Sequence, residues 1–178
     1  MAAPPVKGSM EGALKTGEFT YFRKYPLSWR IGHLIMESES IDILVRGVLI
    51  QEGKVLLLKR PAKKGGGYNL VGGHVEPGET PAGALAREIF EEIGVKISLD
   101  SSEMMRVVYR EKPTRPPKLH LVFWLHDWEG EITNREPDKC LGLEWYPLDA
   151  LPPDLATVAG RVLRLEDQTP FYVEMVPD

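Results

Sequence analysis

The sequence is poor in cysteine and contains no apolar stretch long enough to cross a membrane. Cys140 is the one cysteine among 178 residues, which excludes an intramolecular disulfide and a zinc site built on paired cysteines. No run of about 18 apolar residues is present, so the sequence predicts no transmembrane helix. The first ten residues also lack the basic and apolar regions of a secretory signal. These absences together predict a cytoplasmic protein without a membrane partner.

The sequence also has no surplus of positive charge. It contains 22 Lys and Arg residues against 26 Asp and Glu residues, which gives a formal net charge of −4. Because polyanions are bound by basic surfaces, this balance argues against a nucleic acid polymer as a partner. The four histidines are scattered and show no zinc-ligand spacing.

Length and composition are those of one globular domain. The chain has 178 residues, of which 43% are hydrophobic and 27% charged, close to the average for soluble domains. We expect the domain over residues 41–155, because regular apolar patterning starts at Ile41. Residues 1–40 are predicted to be an N-terminal extension, part of which (residues 8–10) resembles a cloning junction. Residues 156–178 are predicted to form a C-terminal helix and tail.

Apolar patterning predicts strands interleaved with helices. Residues 41–50 and 54–59 are rich in Val, Leu and Ile and are separated by a short turn, which predicts a hairpin. A helix is predicted over residues 155–165, where apolar residues recur three or four positions apart. This interleaving favours an α/β fold in which helices cover a mixed β-sheet. Further strands are predicted over residues 68–71, 95–98, 104–110, 119–128 and 143–146.

The clearest helix is predicted over residues 81–93. Thr80 is a suitable N-cap, Pro81 stands at the first helical position, and Gly94 follows the last periodic residue as a stop signal. These signals are local, so they define both ends of the helix without reference to the rest of the chain.

This helix carries a cluster of acidic side chains. Glu88, Glu91 and Glu92 fall within an arc of about 100° on one face. Three neighbouring carboxylates repel one another, and they lie in the half of the helix where the helix dipole disfavours anions. A solvated acidic face accounts for the cluster, and so does a site for a hard divalent cation such as Mg²⁺.

The residues around the acidic cluster complete a longer motif. Gly73 is followed after five residues by Glu79, and seven residues later comes the run Arg87-Glu88-Ile89-Phe90-Glu91-Glu92-Ile93-Gly94-Val95. This pattern resembles a complete Nudix box, and the chain resembles the MutT-like branch of the Nudix hydrolases. The resemblance implies a Nudix-type α/β/α sandwich with a mixed β-sheet between helices.

The resemblance also implies a metal site. In the matching positions Glu91 and Glu92 would bind Mg²⁺, with Mn²⁺ as the alternative. Glu88 would be a further ligand or the catalytic base, and the carbonyl oxygen of Gly73 would join the ligands. Glu136 matches a loop glutamate that approaches the metals in MutT-like proteins, although it would equally suit an ordinary turn.

Three basic residues after the predicted hairpin are candidates for substrate binding. Arg60 matches a position where MutT-like proteins place an arginine near the nucleotide. Lys63 and Lys64 follow in a glycine-rich loop, where they would meet phosphate. Exposed cations are common in loops, so a solvated role is the alternative.

The resemblance implies hydrolysis of a nucleotide phosphoanhydride. The favoured substrate is a (deoxy)nucleoside triphosphate, with an oxidised purine such as 8-oxo-dGTP included, cleaved to the monophosphate and pyrophosphate. The catalytic candidates are Glu88, Glu91 and Glu136, with Glu88 preferred as the base. Alternatives are a pyrophosphatase for ADP-ribose, another nucleoside diphosphate sugar or a dinucleoside polyphosphate. A non-catalytic nucleotide-sensing domain is the alternative of another class, and a homodimer stays open because dimers are frequent in the family.

Overall fold

A computed structural model describes residues 41–98, 102–113, 115–164 and 171–177. These residues all belong to one unit of the chain, Ser40–Asp178. The predicted N-terminal extension, residues 1–40, lies outside the described residues. In the described part of the chain, no helix is both long and apolar enough to cross a membrane.

The described residues form seven strands, which are β1 (Asp42–Gln51), β2 (Lys54–Lys59), β3 (Tyr68–Asn69), β4 (Ser102–Lys112), β5 (Arg115–Leu125), β6 (Gly142–Pro147) and β7 (Tyr172–Met175). They form one mixed sheet in the order β3-β2-β1-β5-β4-β7, and β6 pairs with β2. The pairs β1–β5 and β4–β7 are parallel, and the other pairs are antiparallel.

Helix α1 spans Pro81–Ile93, as the sequence predicts. The Thr80 hydroxyl accepts a hydrogen bond from the Gly83 amide at 3.1 Å, and Gly94 ends the helix in the left-handed region with φ of 79°. The helix buries Leu85, Ile89 and Ile93 against the sheet. The opposite face of the helix is therefore left for its charged residues.

Helix α2 (Thr157–Leu163) covers the other face of the sheet. Adjacent residues of β1 contribute to different cores, because side chains alternate along a strand. Val48 packs in the core beneath α2, and Leu49 packs in the core beneath α1. The predicted arrangement of a mixed sheet between helices is confirmed.

The predicted hairpin is present, but it is short. Strands β1 and β2 pair through two residue pairs, Ile50 with Val55 and Gln51 with Lys54. The earlier part of β1 instead pairs with residues 71–75. The amide of Val45 donates to the Gly73 carbonyl at 2.9 Å. This pairing places the start of the Nudix-like motif directly beside β1.

Several predicted strands differ from the structure in their bounds. The strand predicted over residues 68–71 is shorter in the structure, where β3 covers Tyr68–Asn69. The strand predicted over residues 95–98 is reduced to a single bridge between Lys96 and Glu129. The strand predicted over residues 119–128 corresponds to β5, which begins earlier, at Arg115, and ends earlier, at Leu125. Pro116 and Pro117 lie within β5, although prolines are more typical of loops. Helix α2 is shorter than residues 155–165, and β7 was not predicted.

Candidate metal centre

Two glycines bring the backbone against the acidic helix. Gly72 has a φ of 121°, and a Cβ there would collide with the carbonyl oxygen of Val45. At Gly73 a Cβ would lie within 2.5 Å of all three carboxylate atoms of Glu88. The Glu88 carboxylate therefore packs directly on the Gly73 α-carbon, and only glycine leaves room for it.

Glu92 is partly buried beside the same glycines. Its Oε2 accepts a hydrogen bond from the Gly72 amide at 2.7 Å. Burial raises the pKa of Glu92 to about 7, although the Gly72 hydrogen bond and the charge of Arg46 oppose the rise. Among the described residues Glu92 has no ion pair, so it is a partly buried carboxylate without a directly contacting cation.

Arg87 holds the other carboxylates of the motif. Its guanidinium lies 2.9 Å from Glu79, 2.8 Å from Glu88 and 3.4 Å from Glu91, and Nη2 donates to the His74 carbonyl at 3.1 Å. These bonds hold the pKa of Glu79 below its usual range and raise the pKa of Arg87. Arg87 thus ties the helix to the segment that precedes it, with Glu79 folded back toward the helix.

Glu136 lies in the loop between β5 and β6, next to Glu92. Its charge contributes to the raised pKa of Glu92, and both side chains line one small pocket. Glu136 also accepts from Lys139 Nζ, and its amide donates to Asn134 Oδ1 at 3.2 Å. The pocket is lined by Leu58, Glu92, Glu136, Lys139, Cys140 and Leu143.

Arg46 is a neighbour of the centre that the sequence analysis did not identify. Its Nη1 donates to the carbonyl oxygen of Gly72. Burial lowers the pKa of Arg46, and the nearby Glu92 and Glu88 oppose that shift. The Gly72 peptide is therefore held by Arg46 through its carbonyl and by Glu92 through the amide. The available signal was a single arginine inside the apolar run of residues 41–50.

The three basic candidates lie at the end of β2 and beyond it. The Arg60 amide donates to the Gly67 carbonyl at 2.9 Å, and the charge of Arg60 helps to lower the pKa of Arg46. Lys63 and Lys64 are exposed in a short 3₁₀ turn, and neither forms an ion pair with a described residue. The structure therefore brings Arg60 toward the centre but shows no contact of the two lysines with it.

The donor atoms fit a hard divalent cation by their chemistry. Carboxylate and carbonyl oxygens are the ligands that Mg²⁺ takes, and Glu92 is partly buried without a cationic partner in the described part of the chain. Within the described ranges, no three His, Cys, Asp or Glu side chains are grouped closely enough to hold an ion. Three glutamates of the motif, Glu79, Glu88 and Glu91, are instead paired with Arg87.

The class of this protein is defined by its fold and its site. The fold is a mixed sheet between two helices, and the site is a glycine pair packed against a glutamate-rich helix. Residues 42–165 match the family model of the NUDIX domain. This match covers well over half of the chain, so the protein belongs to the NUDIX family. The resemblance seen in the sequence is confirmed, and the family generally uses divalent metals.

Solved structures of the family share this fold. The crystal structure of a MutT NUDIX hydrolase from Burkholderia pseudomallei is 29% identical with a TM-score of 0.62, and the match covers 70% of this chain and 96% of that one. The solution structure of the E. coli ORF135 protein is 25% identical with a TM-score of 0.57, over 74% of this chain and 96% of that one.

Curated relatives carry a more specific name. An NAD-capped RNA hydrolase NudC from Chromobacterium violaceum is 32% identical over 120 residues, which are 66% of this chain and 43% of that protein. A protein of the same name from Salmonella typhi is 33% identical over 115 residues, 42% of its length. The chain therefore spans less than half the length of these curated relatives.

Proposed function

We propose that this domain hydrolyses a phosphoanhydride bond of a nucleotide with the help of a divalent cation, Mg²⁺ before Mn²⁺. The observation that carries the proposal is the packing of the carboxylate of Glu88 on Gly73 beside the unpaired carboxylate of Glu92. Arg87 and Arg46 offset part of this negative charge, and a divalent cation would neutralise more of it through direct contact with the carboxylate oxygens. Membership of the NUDIX family supports the same reaction class.

The residues that would hold the cation are Glu88, Glu91, Glu92 and Glu136, together with the carbonyl of Gly73. A bound divalent ion supplies Lewis acidity, which neutralises charge on the substrate phosphates and lowers the pKa of a water. The Gly72 amide orients Glu92 for this task. Arg87 keeps Glu88 and Glu91 near each other.

A carboxylate must also accept the proton of the attacking water. Glu88 is the preferred base, because it is mostly buried, with 17% of its side chain exposed, and is aimed at Gly73 by Arg87. Glu136 is the second candidate, since it lines the pocket beside Glu92. Glu91 is half exposed at 51% and suits metal binding better than proton transfer.

Phosphate oxygens of the substrate would be met by cations near the centre. Arg60 is the first candidate, because its charge acts on Arg46 and Arg46 touches Gly72. Lys63 and Lys64 lie next along the chain in an exposed turn. Guanidinium groups bind phosphate through two parallel hydrogen bonds, which suits a polyphosphate chain.

The favoured substrate is a (deoxy)nucleoside triphosphate, with 8-oxo-dGTP as one example. Support comes from the MutT structure, 96% of which is matched by this chain. A second candidate is a dinucleotide of the NAD type, free or at the end of an RNA, because the curated relatives are named NAD-capped RNA hydrolases. That name weighs against the expectation that no nucleic acid polymer is bound.

The test is a panel of nucleotides incubated with the full chain and Mg²⁺. We expect at least one of five compounds to be cleaved: dGTP or 8-oxo-dGTP with release of pyrophosphate, NAD or Ap4A to two nucleotides, or ADP-ribose to AMP and ribose 5-phosphate. The variant E91Q/E92Q should lose turnover by at least about 100-fold, because the cation supplies several kcal/mol of charge stabilisation. The matched control is Glu52→Gln in the exposed β1–β2 turn.

Two outcomes would contradict the proposal. Near wild-type turnover of E91Q/E92Q would remove these glutamates from the metal centre. Binding of nucleotides without hydrolysis of any of them would instead support a nucleotide-sensing domain, the alternative of another class.

A further inference from the structure

The β4–β5 hairpin is basic although the protein as a whole is acidic. Between positions 106 and 118 the sequence holds five basic residues and one acidic residue, Glu111, in a chain of net charge −4. Four of the basic residues surround the tip of the hairpin, and we call the segment 110–118 the basic arm. Its four basic residues are Arg110, Lys112, Arg115 and Lys118.

Cations face each other across this arm. Arg110 stands directly opposite Lys118 in the antiparallel register, and Lys112 stands directly opposite Arg115. Like charges at directly opposed positions destabilise a sheet. Two such pairs in succession indicate that the arm is used in the presence of negative charge from another molecule.

The described residues supply little of that charge. Lys118 pairs with Asp42 at 3.1 Å, but within the described ranges Arg110, Lys112 and Arg115 have no ion pair. Lys112 and Arg115 are exposed. The positive charge of the outer half of the arm is therefore free to meet a ligand.

The arm projects beyond its neighbours in the sheet. Pairing of β1 with β5 begins at Asp42 and Lys118, and pairing of β4 with β7 ends at Arg110 and Met175. In the described part of the chain, residues 111–113 and 115–117 therefore lie beyond the last paired positions of both flanking strands. At about 3.3 Å per residue, Arg115 lies roughly 10 Å farther out than Lys118.

The root of the arm adjoins the metal centre through His74. The His74 carbonyl accepts from Arg87, which holds the carboxylates. Its ring Nε2 lies 3.5 Å from Lys118 Nζ and 3.9 Å from Asp42. One residue therefore contacts the centre on one side and the arm on the other.

Positive charge is also concentrated around a buried histidine at the root of the arm. His120, on β5, is 4% exposed, and neither ring nitrogen has a hydrogen-bond partner among the described residues. Burial lowers the pKa of His120 to about 3, and the charges of Arg46, Arg110, Lys118 and His74 act in the same direction. Four basic groups thus act on one imidazole.

We propose that the basic arm binds the phosphodiester backbone of a nucleic acid strand whose 5′ end carries the anhydride cleaved at the metal centre. The inference rests on the proposed hydrolysis of a phosphoanhydride and deepens it by taking the second candidate substrate, a nucleotide at the end of a nucleic acid strand. A mononucleotide held at the centre would leave the tip, about 10 Å beyond Lys118, without a ligand. A strand that continues by two or more nucleotides places phosphates along the arm, where lysine and arginine neutralise them.

The test compares two substrates that share one scissile bond, ATP and a single-stranded hexaribonucleotide with a 5′-triphosphate on adenosine. The variant K112Q/R115Q changes the exposed tip and leaves the core untouched. We expect its KM for the hexamer to rise about 10-fold while its KM for ATP changes less than twofold. The magnitude of the slope of log kcat/KM against log salt for the hexamer should fall by about 1.4, about 0.7 for each basic side chain that is replaced.

Matched controls separate a local effect from a change in net charge. The variant K54Q/K96Q removes two exposed lysines outside the arm and should leave both KM values unchanged. K112R/R115K keeps both charges and should restore the wild-type KM for the hexamer. Fluorescence anisotropy of the labelled 5′-phosphorylated hexamer without metal should show the same ranking of Kd values.

The outcomes distinguish the two proposals. If ATP is hydrolysed and K112Q/R115Q affects both substrates equally, the proposed role of the arm is wrong and the proposed function stands. The same conclusion follows if ATP is hydrolysed and the hexamer is not. If neither substrate nor any nucleotide of the panel is cleaved, the proposed function fails. The anisotropy measurements then test the arm by themselves, and equal Kd values for wild type and K112Q/R115Q would contradict its role in binding the strand.

Discussion

Gly73 and Glu88 show how single residues build the centre. The glutamate carboxylate rests on the glycine α-carbon because no Cβ intervenes. Gly72 beside it has a positive φ and lies between Arg46 and Glu92. The glycine pair thus does more than allow a turn, because it creates the space that the carboxylates occupy.

The substitution Gly73→Ala tests this packing. The added Cβ would stand within 2.5 Å of the Glu88 carboxylate, so Glu88 must move away. We expect turnover to fall about 100-fold with the free energy of unfolding lowered by no more than about 2 kcal/mol. Steady-state kinetics and urea denaturation measure the two quantities.

Gly142→Ala is the matched control, because no atom lies within 4 Å of a Cβ at that position. This variant should keep wild-type turnover. If Gly73→Ala keeps it as well, the carboxylate of Glu88 is not required at the place where the structure has it.

His120 makes stability depend on pH. The folded protein holds its pKa near 3 by burial, against an ordinary value of 6.5. Between these values the unfolded chain binds more protons, so stability is full above about pH 6.5 and is lost as the pH falls. Through His120, the wild-type free energy of unfolding should fall by about 2 kcal/mol between pH 7 and pH 5, and this contribution should be absent in His120→Leu.

Urea denaturation at both pH values measures this contribution. The comparison is between the pH-dependent changes of wild type and variant, so a constant gain or loss from the new side chain cancels. Parallel curves for the two proteins would show that His120 does not titrate across this range on unfolding.

At the scale of elements, helix α1 was predicted with both of its ends. Its signals are local: the Thr80 cap, Pro81 and the Gly94 stop lie within the sequence of the helix or beside it. Strands were predicted with less accurate bounds, because pairing with distant residues decides where a strand ends. Residues 71–75 illustrate this, since their hydrogen bonds go to β1 and not to β2.

The substitution Thr80→Ala tests the cap. It removes the acceptor of the Gly83 amide, and we expect a loss of about 1 kcal/mol in the free energy of unfolding. Thr80→Ser keeps a hydroxyl and should stay within about 0.5 kcal/mol of wild type in the same urea titration. Equal losses for both variants would contradict a role of the hydroxyl.

At the scale of the whole molecule, the sheet depends on a strand that was not predicted. Strand β7 pairs in parallel with β4 at the edge of the sheet, and Val173 is 6% exposed in the core beneath α2. A four-residue strand gives little periodicity to detect. Its partner is more than 60 positions earlier in the chain, as the pair Val108 and Val173 shows.

Removal of this strand should destabilise the protein. A chain that ends at Arg164 loses the burial of Val173 and exposes the edge of β4, so we expect a loss of about 2 kcal/mol or more and a tendency to aggregate. Urea denaturation and light scattering measure both effects. A chain that ends at Val176 keeps every pair of β7 and should match the full chain, whereas unchanged stability of the shorter chain would contradict the role of β7.

The whole molecule also changes the meaning of its net charge. The value of −4 argued against a nucleic acid polymer as a partner because it averages over the surface. The fold separates the charges, with glutamates around Gly73 and lysines and arginines along the arm. That separation is what allows an acidic protein to present a basic surface.

The sequence by itself determined the acidic helix, its two ends and the motif that places this chain in the NUDIX family. These features depend on residues close together in the chain, where caps and helical spacing act. The tertiary structure decided that Arg46 holds Gly72, that Glu136 joins Glu92 and that like charges face each other along the arm. Each of these contacts joins residues that are not neighbours in the sequence. The pairing of strands across the sheet, which also positions the loops, determines which of these residues come together.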